Sequence, residues 1–148
     1  MENLNLKMHG AFTMTLTKEN GEVETTHKDN LIVNGGFDMI ADAIFDATRP
    51  AAANYIALGT NDLAVAATQT GIQTPLGARR VATYNHTNGT KVLTLAYTFL
   101  PGESTGAIKE AAIYNHLTAG KMLDRVVFPV VNKGANDTLT TTFTLTMS

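Results

Sequence analysis

The stretch TLTTTFTLTMS, residues 138–148, decides the fold. Leu139, Thr141, Phe143, Leu145 and Met147 fall on one side of an extended chain, and Thr138, Thr140, Thr142, Thr144 and Thr146 on the other. A period of two sends the two sets to opposite faces of a β-strand. One face is apolar enough to bury, and the other carries hydroxyls and no ionic group. Upstream, Phe12, Met14 and Leu16 oppose Thr13, Thr15 and Thr17, and Leu93, Leu95, Tyr97 and Phe99 share one face of a strand over residues 91–100. Such a chain builds β-structure with neutral outer surfaces, which suits packing and assembly better than chemistry.

The punctuation fits strands. Asn20-Gly21 and Asn88-Gly89 are hairpin dipeptides, because both residue types accept positive φ. The first leads from residues 11–17 into a polar return strand over 22–28, with Val23, Thr25 and His27 expected on the face of Met14 and Leu16, at an edge or exposed position. Asp29-Asn30 is expected to end that hairpin before the apolar run Leu31, Ile32, Val33. One helix follows: Phe37, Ile40, Ala41, Ile44 and Phe45 recur at amphipathic spacing, with Asn34 as N-cap, Asp38 near the positive end of the dipole, and Asp42 and Asp46 toward solvent. Gly35-Gly36 lets the chain swing into it and belongs to no phosphate-binding pattern. Thr48-Arg49-Pro50 closes it.

Residues 55–58 read as a short buried strand, and 59–78 as a long excursion with one helical turn near 63–67. A loop of that length is usually functional or rests on a partner. Strands resume from Val81, and Pro101-Gly102 stops the one over 91–100. Residues 107–114 and 121–131 are further strands around a turn at Ala119-Gly120, the second with Met122, Val126, Phe128 and Val130 on one face. Pro129 has no N–H, so it calls for an edge or a bulge. Residues 132–137 form a polar turn. Seven or eight strands, short connections and one short amphipathic helix predict a mainly β fold, an antiparallel β-sandwich or jelly roll. Residues 1–148 form a single domain, with 1–10 as an extended N-terminal arm and 59–78 as the excursion.

Composition narrows the function. A chain of 148 residues buries enough surface to fold without disulfides, and it has no cysteine, which removes thiolate metal sites and cysteine nucleophiles. Eleven basic against 13 acidic residues, scattered, give no footprint for nucleic acid. No apolar run spans a membrane, and the first residues lack the order of a signal peptide, so a soluble protein used where it is made is expected. Only 16% of residues are charged, a hint that part of the surface is covered in use.

Candidates for chemistry are thin. His9 is placed in an irregular N-terminus, His27 on the polar strand, His86 beside a turn and His116 in another, with no pair at zinc spacing. Asp38, Asp42 and Asp46 read as a solvated helix flank, and Asn136-Asp137, Asn61-Asp62 and Asp29-Asn30 as Asx turns. Asn85-His86-Thr87 and Asn136-Asp137-Thr138 match the glycosylation sequon at a level chance supplies in a Thr-rich chain. Lys109-Glu110, within an apolar strand, reads as an outward or edge pair, with a buried inter-subunit salt bridge as the minority reading. No catalytic, cofactor or metal residue is assigned, and no enzyme activity is expected.

Several stretches in order resemble a known family: NLIVNGGFDMIAD from Asn30, YIALGT from Tyr55, AIKEAAIYN from Ala107, MLDRVVFPVVNKG from Met122, and the Thr-rich end. Over residues 28–148 the chain resembles small structural proteins of tailed bacteriophages, labelled tail-fibre-like or similar to the jelly-roll cement proteins that decorate phage heads. The resemblance implies a non-enzymatic virion component, made in the host cytoplasm, that binds the major capsid protein (or tail proteins) and self-associates as a dimer or trimer. The alternative is a tail-fibre or baseplate accessory protein. A carbohydrate-binding module ranks lower, since sugar sites favour exposed aromatics and this chain has no tryptophan, with only Tyr84 and Tyr114 near turns. If cementing is right, the expected contacts are the N-terminal ten residues, the 59–78 excursion and the residues Gln69, Gln73, Arg79, Arg80, Lys109 and Glu110.

Overall fold

The computed structural model describes residues 7–148; residues 1–6, most of the expected N-terminal arm, lie outside the described residues. The elements are β1 (Met8–Thr17), β2 (Val23–Ile32), α1 (Asn34–Phe45), β3 (Tyr55–Gly59), β4 (Arg80–Val81), β5 (Thr83–His86), β6 (Val92–Phe99), β7 (Gly106–Tyr114), β8 (Met122–Lys133) and β9 (Thr138–Met147). All pairings are antiparallel, in the order β4-β3-β7-β8-β2-β1-β9-β6-β5. The two ends of that order, β4 and β5, are separated in the chain only by Ala82, so the sheet curls into a nearly closed, barrel-like form. The fold is mainly antiparallel β with one short helix.

The alternating strands behave as their sequences require. Phe12, Met14 and Leu16 of β1, Leu95 and Phe99 of β6, and Leu139, Phe143 and Leu145 of β9 are all buried inside. Phe12 lies at the centre, its ring centroid 4.7 Å from Phe143 and 5.4 Å from Phe128. Burying one such ring contributes about 1.5–3 kcal/mol. Thr141 also points inward, where its hydroxyl donates to the Tyr97 carbonyl at 2.9 Å. His9 is not in an irregular segment: it belongs to β1 opposite Thr146. Just beyond, Lys7 N–H donates to the Ser148 carbonyl at 2.7 Å and Ser148 N–H to the Lys7 carbonyl at 2.8 Å.

β2 departs from expectation in two ways. Its hairpin loop runs over residues 18–22, with Lys18 N–H on the Glu22 carbonyl at 2.8 Å and Gly21 at φ +89°. The resulting register sets Glu24, Thr26 and Lys28 opposite Leu16, Met14 and Phe12. Val23, Thr25 and His27 therefore sit opposite Thr17, Thr15 and Thr13 on the outer face, the reverse of the expected assignment, because a one-residue change of register exchanges the faces. Nor does Asp29-Asn30 form a turn. β2 continues to Ile32 and changes neighbours, pairing with β1 up to Asn30 and with β8 at Leu31↔Arg125 and Ile32↔Asp124. Gly10 faces Asn30 there, and a Cβ on Gly10 would lie 2.2 Å from Asn30 Oδ1.

α1 forms where the spacing predicts but presents another side to the body. Its buried residues are Gly36 and Met39. The expected face, centred on Phe37 and Ile44, is turned from the docked one by roughly 100°. Gly36 explains this: the helix backbone lies so close to β8 that a Cβ at position 36 would come within 2.1 Å of the Leu123 carbonyl oxygen. Close approach through glycine decides which side docks. The N-cap is Val33, without a side-chain hydrogen bond, rather than Asn34.

β7 and β8 are covered on both faces. Ile108, Ala111, Ile113, Val126, Phe128 and Val131 face the main core, whereas Ala112, Tyr114 and Met122 pack on the other side with Val33 and Ala57. Pro129 lies in a bulge: Ile108 pairs with Val131 and Glu110 with Val127, leaving one residue of β7 against three of β8. Val130 is not on the buried face with Phe128 but exposed, because the bulge breaks the alternation.

Candidate contact surface

The 59–78 excursion contains no helical turn at 63–67; it is a cover laid on the outer face of β3, β7 and β8. Glu110 of β7 and Arg125 of β8, both fully buried, hold it. Arg125 Nε donates to Glu110 Oε1 at 3.1 Å. The same carboxylate accepts main-chain N–H bonds from Asn61 at 2.9 Å and Thr74 at 3.0 Å on Oε2, and from Gln73 at 2.8 Å on Oε1. Arg125 Nη1 reaches the Leu63 carbonyl at 2.8 Å and Gln69 Oε1 at 3.0 Å. Ile72 N–H donates to the Tyr114 hydroxyl at 2.6 Å. The outward reading of Glu110 is thus corrected: the apolar strands around it are covered on both sides, and its charge is matched within the chain.

Most of the other expected contact residues are also engaged internally. Lys109 is half-buried, 3.8 Å from Asp62. Gln69 is half-buried, and its amide also donates to the Ala64 carbonyl. Gln73 is exposed. Arg79 stacks 3.4 Å from the Tyr114 ring centroid and donates to the His116 and Ala119 carbonyls. Arg80 pairs with Glu103 at 3.1 Å. Glu103 also accepts the Leu100 N–H and the Tyr97 hydroxyl, and the Leu100 bond above all holds its carboxyl below the usual range. Lys133 donates to the Leu100 carbonyl at 3.0 Å, and burial lowers its pKa. The side of the molecule bearing the excursion is therefore a stiffened surface rather than a loose arm.

On α1, the side turned away from β8 leaves an apolar stripe open. Phe37 is 51% exposed, Ile44 60% and Phe45 86%. Asp38, Asp42 and Asp46 flank it. Beneath the helix lies an apolar cleft of about 460 Å³, lined by Met39, Ile40 and Ala43 from α1, Leu93, Leu95 and Leu145 from the barrel, and the 50–54 segment. A helix normally buries its apolar stripe, so one left open beside an open cleft is a departure from ordinary helix packing.

A third surface is the outer face of β2, β1, β9, β6 and β5. The registers align Thr25, Thr15, Thr140 and Thr98 in one row, and His27, Thr13, Thr142, Ala96 and Thr83 in the next. Hydroxyls link across strands, Thr98 to Thr140 at 3.0 Å, and Thr13 meets His27 Nδ1 at 3.0 Å. The rows offer a hydrogen-bonding but uncharged plane.

Four ionisable groups are buried: Glu110, expected from the sequence as an outward or edge residue, and Arg125, Lys133 and Asp124, which no sequence pattern singled out. Asp124 sits at the junction where β2 changes neighbours, accepting the Asn30 amide and the Ile113 N–H, the latter at 3.2 Å. Burial pushes its carboxyl up to about 8. Among the described residues no group of three or more His, Asp or Glu side chains is placed to hold a metal ion, and no helix is long and apolar enough to cross a membrane. No family model matches the chain, and neither a curated protein nor a solved structure does.

Proposed function

We propose that this protein is a non-enzymatic structural component of a tailed-phage virion, a decoration or cement protein that stabilises the head by bridging neighbouring capsid subunits. We further propose that its curled sheet is a two-layer sandwich of the jelly-roll kind. The observation that carries the functional reading is the open apolar stripe of α1, Phe37, Ile44 and Phe45, beside the apolar cleft. Three large side chains held in water on a helix that already has a docked side fit a surface completed by another protein. The body behind it is suited to bearing load: the excursion is fixed by a buried ion pair, and the sheet ends are joined through Ala82. The ordered sequence resemblance to phage structural proteins supports the same reading.

The test is rebinding to phage heads stripped of decoration. The protein should bind them and raise their disruption temperature. Phe45→Asp should abolish binding while its own unfolding free energy stays within about 0.5 kcal/mol of the parent, because the ring is exposed. Binding to tails but not heads would replace the cement assignment with the tail-accessory one. Unchanged head binding by Phe45→Asp would remove α1 from the contact.

A further inference from the structure

Among the described residues, most of one side of β2 has no strand partner. From Val23 to Asp29 it pairs with β1, while β8 joins only at Leu31 and Ile32. Except for the half-buried Thr26, these seven residues are exposed. Lys18 N–H bonds to the Glu22 carbonyl, so antiparallel alternation directs the main-chain groups of Glu24, Thr26 and Lys28 toward β1. Those of Val23, Thr25, His27 and Asp29 then point away from β1, along the open edge. Unpaired N–H and C=O groups on an exposed edge are a template for another strand.

The sequence of this edge complements itself. Laid antiparallel against a second copy with Thr26 opposite Thr26, it sets Glu24 opposite Lys28 on both sides of the axis, Thr25 opposite His27, and Val23 opposite Asp29. The outward-pointing main-chain groups become the hydrogen-bonded pairs of the new ladder, about eight bonds in all. Glu24 and Lys28 fall at the non-bonded positions, where opposing side chains approach most closely. Glu24 Oε1 already meets Lys18 at 3.0 Å, which leaves its second oxygen for the lysine of the other copy.

We propose that two copies of this chain associate through antiparallel pairing of their β2 edges across a two-fold axis, specified by reciprocal Glu24–Lys28 pairs. This gives a structural form to the self-association that the sequence resemblance implies; it needs no capsid, so purified protein tests it and its failure is separable from that of the cement reading. In sedimentation equilibrium at 10–100 µM, on the order of concentrations that reveal weak interfaces, the chain sediments as a dimer. Glu24→Lys or Lys28→Glu alone places like charges opposite one another twice and raises the dissociation constant about tenfold. The Glu24→Lys/Lys28→Glu double variant restores dimerisation, because the exchanged pairs are again opposite in sign. Thr25→Pro abolishes it, since this N–H faces the edge and not β1. Circular dichroism of each variant checks that the fold is retained. A monomer throughout that range, a trimer, or a dimer that ignores the single reversals would each overturn the proposal.

Discussion

Replacing Glu110 with glutamine, nearly its isostere, tests the account of the excursion at one point. The carboxylate accepts two N–H bonds on Oε2, from Asn61 and Thr74, and two on Oε1, from Gln73 and Arg125. A glutamine offers one acceptor oxygen and one N–H2. Whichever way the amide turns, two donors lose their acceptor and face another donor. Each buried donor left unsatisfied costs about 1–3 kcal/mol, and leaving one member of a buried ion pair unmatched costs about 3–5 kcal/mol. These penalties overlap, because Arg125 appears in both, so the expected loss is about 3–5 kcal/mol, a large part of the roughly 5–15 kcal/mol that holds an ordinary domain together. Urea unfolding at neutral pH measures the loss. Hydrogen exchange locates it: amides of Asn61, Gln73 and Thr74 should lose protection before those of β1 and β9. A loss below about 1 kcal/mol, or one with unchanged protection at those three amides, would refute the view that this carboxylate holds the cover.

Two further perturbations follow from the packing. Between about pH 4, where a free aspartate titrates, and about pH 8, where Asp124 does, the folded protein keeps a proton that the unfolded chain releases. Stability from this group is complete below that window and falls as pH rises through it, by at most about 1.4 kcal/mol per pH unit. Asp124→Asn, measured by urea unfolding at pH 5, 6, 7 and 8, should show a flatter dependence than the parent, and equal slopes would contradict the assignment. Gly36→Ala places a methyl against the Leu123 carbonyl oxygen and should lift α1 from β8. A melting temperature lower by about 3–10 °C is expected, and an unchanged one would show that the helix does not need this close approach.

Strands with one buried face were legible because the core imposes the period directly: the residues of β1, β6 and β9 that alternate in sequence alternate in burial. Pro129 likewise announced its bulge through the N–H it lacks. β2 was misread because loop length sets its register, and an Asn-Gly pair does not reveal whether the loop holds two residues or five. The side of α1 that docks was misread for a different reason. Hydrophobicity favoured Phe37, Ile44 and Phe45, but the shortest approach to β8 runs through a residue with no side chain, Gly36. The ion pair left a trace that went unused. GAIKEAAIY and MLDRVVF are apolar at odd and even positions alike, the mark of strands covered on both faces. A glutamate in one and an arginine in the other must then meet a partner inside. What no pattern discloses is which loop supplies the cover, since residues 60–74 reach Glu110 only through main-chain N–H groups, which every residue type but proline carries.

β1 and β9 lie antiparallel, and their outer ends meet at Lys7 and Ser148. Tension applied at these two points would unzip the ladder rung by rung and never load its bonds together in shear. Pulling in that direction therefore breaks two main-chain bonds at a time, starting with the Lys7–Ser148 pair. A cargo fused at either end would draw on this ten-pair ladder one rung at a time, however long the ladder is.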